Sequence, residues 1–150
     1  MSKIFFILFF IVTACGYETL YNTKNGIDKI NVSDIKISGD ITLGKKILSR
    51  LPVEIIKDES LNKLILDSNK NIIETSKNSQ GQIASYRTTV IVKLSLLDNK
   101  NNLIKERTIS KDFLYNTIEN KFKLKEYQIE VENNLINKIV EDINIYLKFK

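Results

Sequence analysis

The spacing of apolar residues along the chain changes between a period of two and a period of three to four, and these changes predict strands and helices. β-Branched residues with broken alternation predict a first strand over residues 30–37, followed by a turn at 38–40. Thr42 then resembles an N-cap, and residues 43–51 carry an apolar stripe at helical spacing. Because Pro52 cannot continue a helix, the sequence predicts a short helix that stops there.

Three further extended segments follow this helix. The first covers residues 61–77 with a polar break in its middle, and a polar connection at 76–82 leads out of it. The clearest strand covers 84–98, and one of its faces carries Tyr86, Thr88, Val90, Val92, Leu94 and Leu96. Residues 98–102 predict a hairpin loop, and 103–115 the returning strand. This last strand carries basic residues that suit a face or an edge exposed to water, namely Lys105, Arg107 and Lys111.

The longest predicted element is a helix over residues 121–147 with a broad apolar stripe. The stripe comprises Leu124, Tyr127, Ile129, Val131, Leu135, Ile136, Ile139, Val140, Ile143, Tyr146 and Leu147. Such a face packs on a sheet, and the element order is β-α-β-β-β-α. The sequence therefore predicts an α+β fold in which two helices cover one face of a four-stranded, mostly antiparallel sheet.

The start of the chain has the three-part pattern of a secretory signal. Lys3 supplies one positive charge, an unbroken apolar run extends from Ile4 to Val12, and small residues follow. The run is far shorter than the roughly 20 residues that a helix needs to cross a bilayer. We therefore predict a signal peptide over residues 1–14, a tether over 15–29 and a single domain over 30–150.

The end of the apolar run, Val12–Thr13–Ala14–Cys15, resembles the lipobox of bacterial lipoproteins. In a lipobox the Cys sulfur takes a diacylglycerol and cleavage follows just before it, so the resemblance implies lipidation at Cys15. The alternative is an ordinary signal peptide with a chance Cys, but the chain has only one Cys and it stands where lipidation needs it. Several acyl chains give lasting membrane attachment. Gly16, where an Asp can retain a lipoprotein in the inner membrane, favours the outer membrane.

The composition narrows the function classes. A chain of 150 residues with 43% apolar and 27% charged residues is typical of a folded protein. Its net charge of +5 is compatible with a polyanionic partner. The alternative is codon bias, because the chain is also rich in Ile and Asn, which like Lys have A/T-rich codons. The absence of His, with one Cys, excludes an intrachain disulfide, a His–Cys metal site and a His-based catalytic relay.

Catalytic patterns are weak throughout. The tightest acidic groups, at residues 58–59 and 130–132, have no defined acid–base or metal-ligand pattern. No G-x-S-x-G turn is present, and the five Gly residues are too dispersed for a phosphate loop. We therefore expect a protein that is not an enzyme, with no cofactor and no bound metal, and with no nucleic acid among its partners.

Short motifs resemble the LPS-assembly lipoprotein LptE family in its short alphaproteobacterial form. They are Cys15–Gly16–Tyr17 with Leu20–Tyr21, Gly81 to Tyr86 before a long strand, and Phe113–Leu114–Tyr115–Asn116 before the terminal helix. The resemblance implies an outer-membrane lipoprotein, facing the periplasm, that plugs an LptD-type β-barrel and contacts lipopolysaccharide. Another periplasm-facing lipoprotein, an accessory of an envelope transport or barrel-assembly complex, is the alternative. A lipid-anchored hydrolase is a more distant one.

Lys121, Lys123 and Lys125 stand at the predicted start of the long helix, where the helix dipole disfavours cations and phosphate would fit. The family resemblance implies lipopolysaccharide contact at Lys123. It also implies a basic residue in the loop after the second predicted strand, near Ser79. This chain has Lys77 two residues away, and Arg87, early in the next strand, could substitute. A solvated helix start in a lysine-rich chain would show the same three lysines.

Overall fold

The computed structural model describes residues 29–148. The predicted signal peptide, Cys15 and the tether up to residue 28 lie outside the described residues. In chain order the elements are β1 (Ile30–Val32), β2 (Asp34–Gly39), α1 (Ile41–Leu48), β3 (Val53–Ile55), β4 (Lys63–Lys77), β5 (Ile83–Leu97), β6 (Leu103–Asn116) and α2 (Lys121–Lys148).

Four strands form the main sheet in the order β2-β4-β5-β6. β2 runs parallel to β4 because α1 crosses over between them, whereas tight turns join β4 to β5 and β5 to β6 as antiparallel hairpins. α1 packs on β2 and β4, and α2 packs on β5 and β6. The predicted α+β class, with a mostly antiparallel four-stranded sheet under two helices, is confirmed.

The core lies between the sheet and the helices. On β5 the predicted alternation is confirmed, because Thr88, Val90, Val92 and Leu94 are buried and face the helices. The rest of the buried apolar set comes from every layer: Val32, Leu43, Ile47, Leu51, Leu64, Leu66, Ile109, Tyr115, Val131, Leu135, Ile136, Ile139, Val140 and Ile143. The opposite face of the sheet carries no helix of the described chain.

The predicted first strand is two strands. The ladder breaks at Ser33, whose N–H donates to Asn62 O at 2.8 Å. β1, before this break, lies outside the main sheet and pairs in parallel with β3, a strand that was not predicted. β1 and β3 have three residues each, which is too short to show a period. For this reason the sequence predicted β1 and β2 as one strand and did not predict β3.

The predicted cap of the first helix is wrong. Asp40, not Thr42, is the N-cap, and its carboxylate accepts a hydrogen bond from Leu43 N at 3.0 Å. α1 therefore begins at Ile41 and ends at Leu48, and β2 extends through Gly39 where a turn was expected. Residues 49–51 form turns after the helix, so the helix ends before it meets Pro52.

The polar break predicted within residues 61–77 does not interrupt β4. Its polar side chains have partners: Ser68 is buried and donates to Asp40 O at 2.9 Å, and Lys70 bonds to a carboxylate of α2. In α2 the predicted stripe is confirmed except at Ile129, which is exposed, while Glu132 is buried among the apolar residues. None of the helices within residues 29–148 is both long and apolar enough to cross a membrane.

The sheet has two distinct ends, and they carry different features. At one end Asp34 pairs with Lys63, and the chain enters the fold there from the N-terminal side. At the other end Lys77 pairs with Ile83, and β6 also ends there, so α2 begins at this end after a short linker over 117–120. The 15-residue β4 separates the two ends by about 45 Å.

Candidate functional site

The start of α2 is capped from within the chain. Asn120 Oδ1 accepts hydrogen bonds from Phe122 N at 2.9 Å and from Lys123 N at 3.1 Å. These two N–H groups are therefore not free to bind a phosphate at the helix start. Any anion bound here would depend on lysine side chains rather than on the helix end.

Lys121, Lys123 and Lys125 are all exposed, and none of them forms an ion pair within residues 29–148. They do not share one side of the helix. At 3.6 residues per turn, Lys121 and Lys125 each lie about 160° around the axis from Lys123. The three lysines therefore form two groups, with Lys121 and Lys125 together and Lys123 alone.

Lys123 shares its side of α2 with residues further along the helix. Steps of four, eleven and fifteen residues bring Tyr127, Asn134 and Lys138 to within about 60° of it. Glu130 falls on the same side and offsets part of the charge. This side of the helix is exposed to solvent, and only its flank borders the edge strand β6, where Tyr127 contacts Tyr115 with ring centroids 5.6 Å apart.

The two other basic candidates, Lys77 and Arg87, lie in different parts of the sheet. Lys77, exposed at the end of β4, lies at the same end of the sheet as the start of α2. Arg87 points away from the helices, because it alternates with the buried Thr88 along β5, and its Nε lies 3.6 Å from Asp112 Oδ2. The structure does not bring Arg87 together with the lysines of α2. Cys15 lies outside the described residues, so the predicted lipidation stays a prediction.

An aromatic cluster joins β5, β6 and α2 near this end. Tyr115 is buried, stacks on Tyr86 at 5.9 Å and on Phe113 at 6.4 Å, and its hydroxyl lies 3.0 Å from Thr88 Oγ1. Phe113 sits on the edge strand and stays 43% exposed. Tyr115 therefore belongs to the core, whereas Phe113 presents much of its ring at the surface.

Two grooves meet at Phe113 and Tyr127, between α2 and β6. One has a volume of about 440 Å³ and extends over the last residues of β6 to Ile118. The other has a volume of about 320 Å³ and follows α2. Its lining comprises Phe113, Tyr127, Val131 and Leu135, with Asn134, Asn137, Lys138 and Glu141. We call the second groove, with the residues just given, the α2–β6 trough. Sequence reasoning missed it because its lining comes from two elements.

A buried charged group links three elements between the sheet and the helices. Glu132 of α2 is 7% exposed, and its carboxylate oxygens lie 2.6 Å from Lys46 Nζ of α1 and 2.5 Å from Lys70 Nζ of β4. Burial raises the pKa of Glu132, but the hydrogen bonds and charges of both lysines outweigh it and hold the pKa below its ordinary value. The carboxylate is therefore held in its charged form by two ion pairs.

Other carboxylates with lowered pKa values serve turns and strands. Side-chain and backbone hydrogen bonds from Ser60 lower the pKa of Asp58, and those from Asn102 lower the pKa of Asp98. A hydrogen bond from Lys93, followed by one from Ser95, lowers the pKa of Glu106. Across residues 29–148 no three His, Cys, Asp or Glu side chains converge as a metal site would require.

The face of the sheet without helices mixes apolar and charged side chains. Ile73, Ile91 and Leu114 are exposed there: Ile91 lies between the ion pairs Arg87–Asp112 and Lys93–Glu106, and Ile73 and Leu114 flank Arg87 on the neighbouring strands. We call this the open face. Its apolar residues are separated by small polar ones, such as Thr89 and Ser110, so it is not a continuous apolar patch.

No protein-family model and no curated protein matches the chain. Solved structures share its fold. Rare lipoprotein B from Shewanella oneidensis has a TM-score of 0.58 at 16% identity, covering 76% of this chain and 92% of that protein. A putative neuraminyllactose-binding hemagglutinin homolog from Helicobacter pylori has a TM-score of 0.56 at 14% identity, covering 87% and 89%. A minor lipoprotein from Acinetobacter baumannii has a TM-score of 0.53 at 16% identity, covering 77% and 91%. The chain thus has a fold that solved bacterial lipoproteins also adopt.

Proposed function

We propose that this chain is an outer-membrane lipoprotein, facing the periplasm, that acts as an LptE-like partner of an LptD-type β-barrel. In this role the folded domain occupies the barrel lumen, helps the barrel to assemble and contacts lipopolysaccharide on its way to the outer leaflet. The observation that carries the proposal is a combination of two features. The chain has a leader that ends in a lipobox-like sequence at Cys15, and this leader precedes a fold that solved bacterial lipoproteins also adopt.

The shape of the domain suits a plug. The open face exposes polar and charged side chains across the broad sheet, and a barrel interior is a polar surface that such a face can meet. The long axis of about 45 Å is comparable with the thickness of a membrane including its polar regions. A domain of this length can therefore follow the barrel axis over most of its height.

The lipopolysaccharide contact would lie at the start of α2. Lys123 is exposed, without an ion-pair partner in residues 29–148, and Lys77 lies at the same end of the sheet. Lysine ammonium groups bind phosphate through charge-assisted hydrogen bonds. The phosphates of the glycolipid would contact these side chains, while the acyl anchor holds the opposite end of the domain at the membrane.

We further propose that the protein acts without catalysis. Among residues 29–148 the most buried carboxylate, Glu132, is paired with Lys46 and Lys70, so it is not poised as an acid or a base. The function would be steric and electrostatic. The rival proposal, an accessory subunit of another envelope complex, shares the anchor and the fold but not the barrel. The Helicobacter pylori likeness illustrates that the fold alone does not select a ligand.

The test is an affinity purification of the tagged mature protein from detergent-solubilised envelopes, with the co-purifying proteins identified by mass spectrometry. The proposal predicts a large LptD-type barrel in stoichiometric amount. A Cys15→Ala variant, which removes the lipidation site, should lose both membrane attachment and the barrel. Recovery of a different envelope complex, or of no partner, would contradict the proposal.

A further inference from the structure

We infer that two copies of this chain associate by antiparallel pairing of the second half of β4, about a two-fold axis at Ile72. The main sheets of the two copies then form one continuous sheet. The inference goes beyond the proposed function and does not rest on it. It rests on an unpaired strand edge, on the charges along that edge and on the exposed apolar residues beside it.

The second half of β4 has a free edge. β4 pairs with β5 over its whole length, whereas β2 pairs with it only from Lys63 to Ser68. Within residues 29–148 no second strand lies beside residues 69–77, and we call this segment the free edge of β4. An unpaired strand edge offers its backbone donors and acceptors to another chain.

Every second residue of the free edge points its backbone groups outwards. Ser68 O accepts a hydrogen bond from Asp40 N at 2.7 Å, so the backbone groups of Ser68 point towards β2. Because these groups alternate in direction along a strand, those of Lys70, Ile72 and Glu74 point the same way, beyond the end of β2. A two-fold axis at Ile72 sets Ile72 against Ile72 and Lys70 against Glu74. All three residues then exchange hydrogen bonds with the second copy, as in a regular antiparallel ladder.

The charges on the free edge are complementary in this register. Lys70 lies opposite Glu74 of the second copy, and the two-fold axis produces this pair twice. Both side chains lie on the face of the sheet that carries the helices, and facing pairs of opposite charge stabilise a sheet. The side chain of Lys70 is 31% exposed, so its ammonium group can contact a second carboxylate in addition to that of Glu132.

The other long free edge, on β6, does not have this property. Antiparallel pairing about a two-fold axis sets residues of the same face against one another. The basic residues of β6 lie on the helix side, where two contact Tyr146 and one contacts Asp142, and the acidic residues lie on the open face. No register of β6 with itself can therefore pair opposite charges. The residues concerned are Lys105, Arg107 and Lys111 on one face, and Glu106 and Asp112 on the other.

Exposed isoleucines accompany the free edge on the helix side. Ile72 is 39% exposed although it lies on the face of the sheet that carries the helices. Ile41, the first residue of α1, is exposed beside the end of β2. Ile129 is exposed one turn before Asn133, which bonds to Arg50. Because α1 starts level with the end of β2 and runs back along it, this part of the sheet is left uncovered. A second copy on the edge removes Ile72 from water, which is favourable.

The predicted interface is small, so the dimer exchanges with the monomer. The regular ladder ends at register shifts between Glu74 and Lys77, and the pairing therefore extends little beyond Glu74. A contact of this length lies at the low end of the areas that hold proteins together. The two domains lie antiparallel and side by side, and a barrel lumen that holds one domain along its axis excludes such a pair. The dimer is therefore a state of the protein outside a barrel.

The first experiment is sedimentation equilibrium of the full mature chain with Cys15→Ser, which removes the only cysteine. A concentration series up to about 1 mM should show a reversible monomer–dimer equilibrium, since small interfaces dissociate in the micromolar range or above. Glu74→Lys opposes Lys70 with a second positive charge and should weaken the dimer about tenfold. Glu59→Lys makes the same change of charge at the opposite end of the sheet, near Asp34, and should leave the dimer unchanged.

Cysteine cross-linking tests the register. In the Cys15→Ser background, Ile72→Cys places two sulfurs at the two-fold axis, where paired Cα atoms are about 5.5 Å apart, within the range of a disulfide. Oxidation should therefore give a covalent dimer. Ile73→Cys is the matched control, because Ile73 is similarly exposed but lies opposite Asn71 of the second copy, and it should cross-link several-fold more slowly. Faster cross-linking at Ile73 would overturn the register and the Lys70–Glu74 pairing.

A protein that stays monomeric throughout the series would overturn the inference, as would a dimer that Glu74→Lys leaves unchanged. The outcome is separable from that of the proposed function. A dimer without a recovered barrel rejects only the barrel partner. A recovered barrel with a strictly monomeric free protein rejects only the pairing at β4.

Discussion

Lys46 of α1 and Glu132 of α2 lie 2.6 Å apart, Nζ to Oε1, and this contact joins two helices that the sequence separates by 86 residues. Because Lys70 of β4 holds the second carboxylate oxygen, removing the negative charge leaves two ammonium groups close together. Glu132→Gln should therefore lower the free energy of unfolding by about 2 kcal/mol, less than for a fully buried pair because both lysines are partly exposed. Urea denaturation measures this, with the exposed Glu130→Gln as the control that should change little.

The same carboxylate should make stability depend on pH. Since the pKa of Glu132 is lower in the folded protein than in the unfolded chain, its contribution is present at pH values above about 4.3, the ordinary value for Glu, and is lost as pH falls further. The difference in unfolding free energy between the wild type and Glu132→Gln should shrink as pH falls from about 5 towards 3. A difference that stays constant over this range would mean that the ion pairs do not stabilise the fold.

Gly39 and Gly81 are required for different structural reasons, a close approach of two strands at Gly39 and a positive φ alone at Gly81. Both have positive φ, +72° and +78°, but a Cβ on Gly39 would collide with Ser68 O, whereas a Cβ on Gly81 would meet nothing within 4 Å. Gly81→Ala should cost about 1 kcal/mol, the ordinary penalty for that backbone conformation. Gly39→Ala should cost clearly more, because β2 must also move away from β4. Equal losses in thermal or urea unfolding would contradict the close approach.

Tyr115 and Thr88 form a buried hydroxyl pair inside the sheet–helix interface, 3.0 Å apart. Tyr115→Phe leaves Thr88 Oγ1 without this partner and should cost about 1–2 kcal/mol. Thr88→Val with Tyr115→Phe removes both polar groups and should cost less than the sum of the single changes. A double-mutant cycle of unfolding free energies measures this coupling, and strict additivity would show that the hydroxyls do not stabilise one another.

The cap of α2 offers a prediction about the candidate site itself. Asn120→Ala removes two hydrogen bonds from the first turn and should cost about 1 kcal/mol. If lipopolysaccharide binding depends on lysine side chains, freeing these N–H groups should not strengthen it. Markedly tighter binding of lipopolysaccharide by Asn120→Ala would instead assign the anion to the helix end.

The sequence predicted most of the elements because their patterns are local. The alternation on β5 and the long stripe of α2 are set by which residues face a core, and both can be deduced from the spacing. Glu132 could not be deduced in this way, because the lysines that stabilise it come from α1 and β4. Asp40 and Thr42 are both good caps, and the choice between them depends on Asp40 N donating to Ser68 O across the sheet.

In the candidate site, too, some features follow from the local sequence and others depend on residues that are distant in the chain. That Lys123 lies on a different side of α2 from Lys121 and Lys125 follows from helix geometry and the sequence alone. That the flank of this side borders the α2–β6 trough does not, because the lining includes Phe113 of an edge strand whose neighbours are set by the sheet order. That Arg87 lies on the face opposite Thr88 follows from the alternation along β5, whereas its ion-pair partner Asp112 comes from β6 and depends on the strand register.

The most direct test of the proposed role is site-specific photo-crosslinking in living cells. A photoreactive amino acid replaces Ile91, which is 43% exposed at the centre of the open face and is not needed for the core. If the domain occupies a barrel lumen, irradiation should give one major adduct that contains a large LptD-type β-barrel. No adduct, or an adduct with a different envelope protein, would contradict the account.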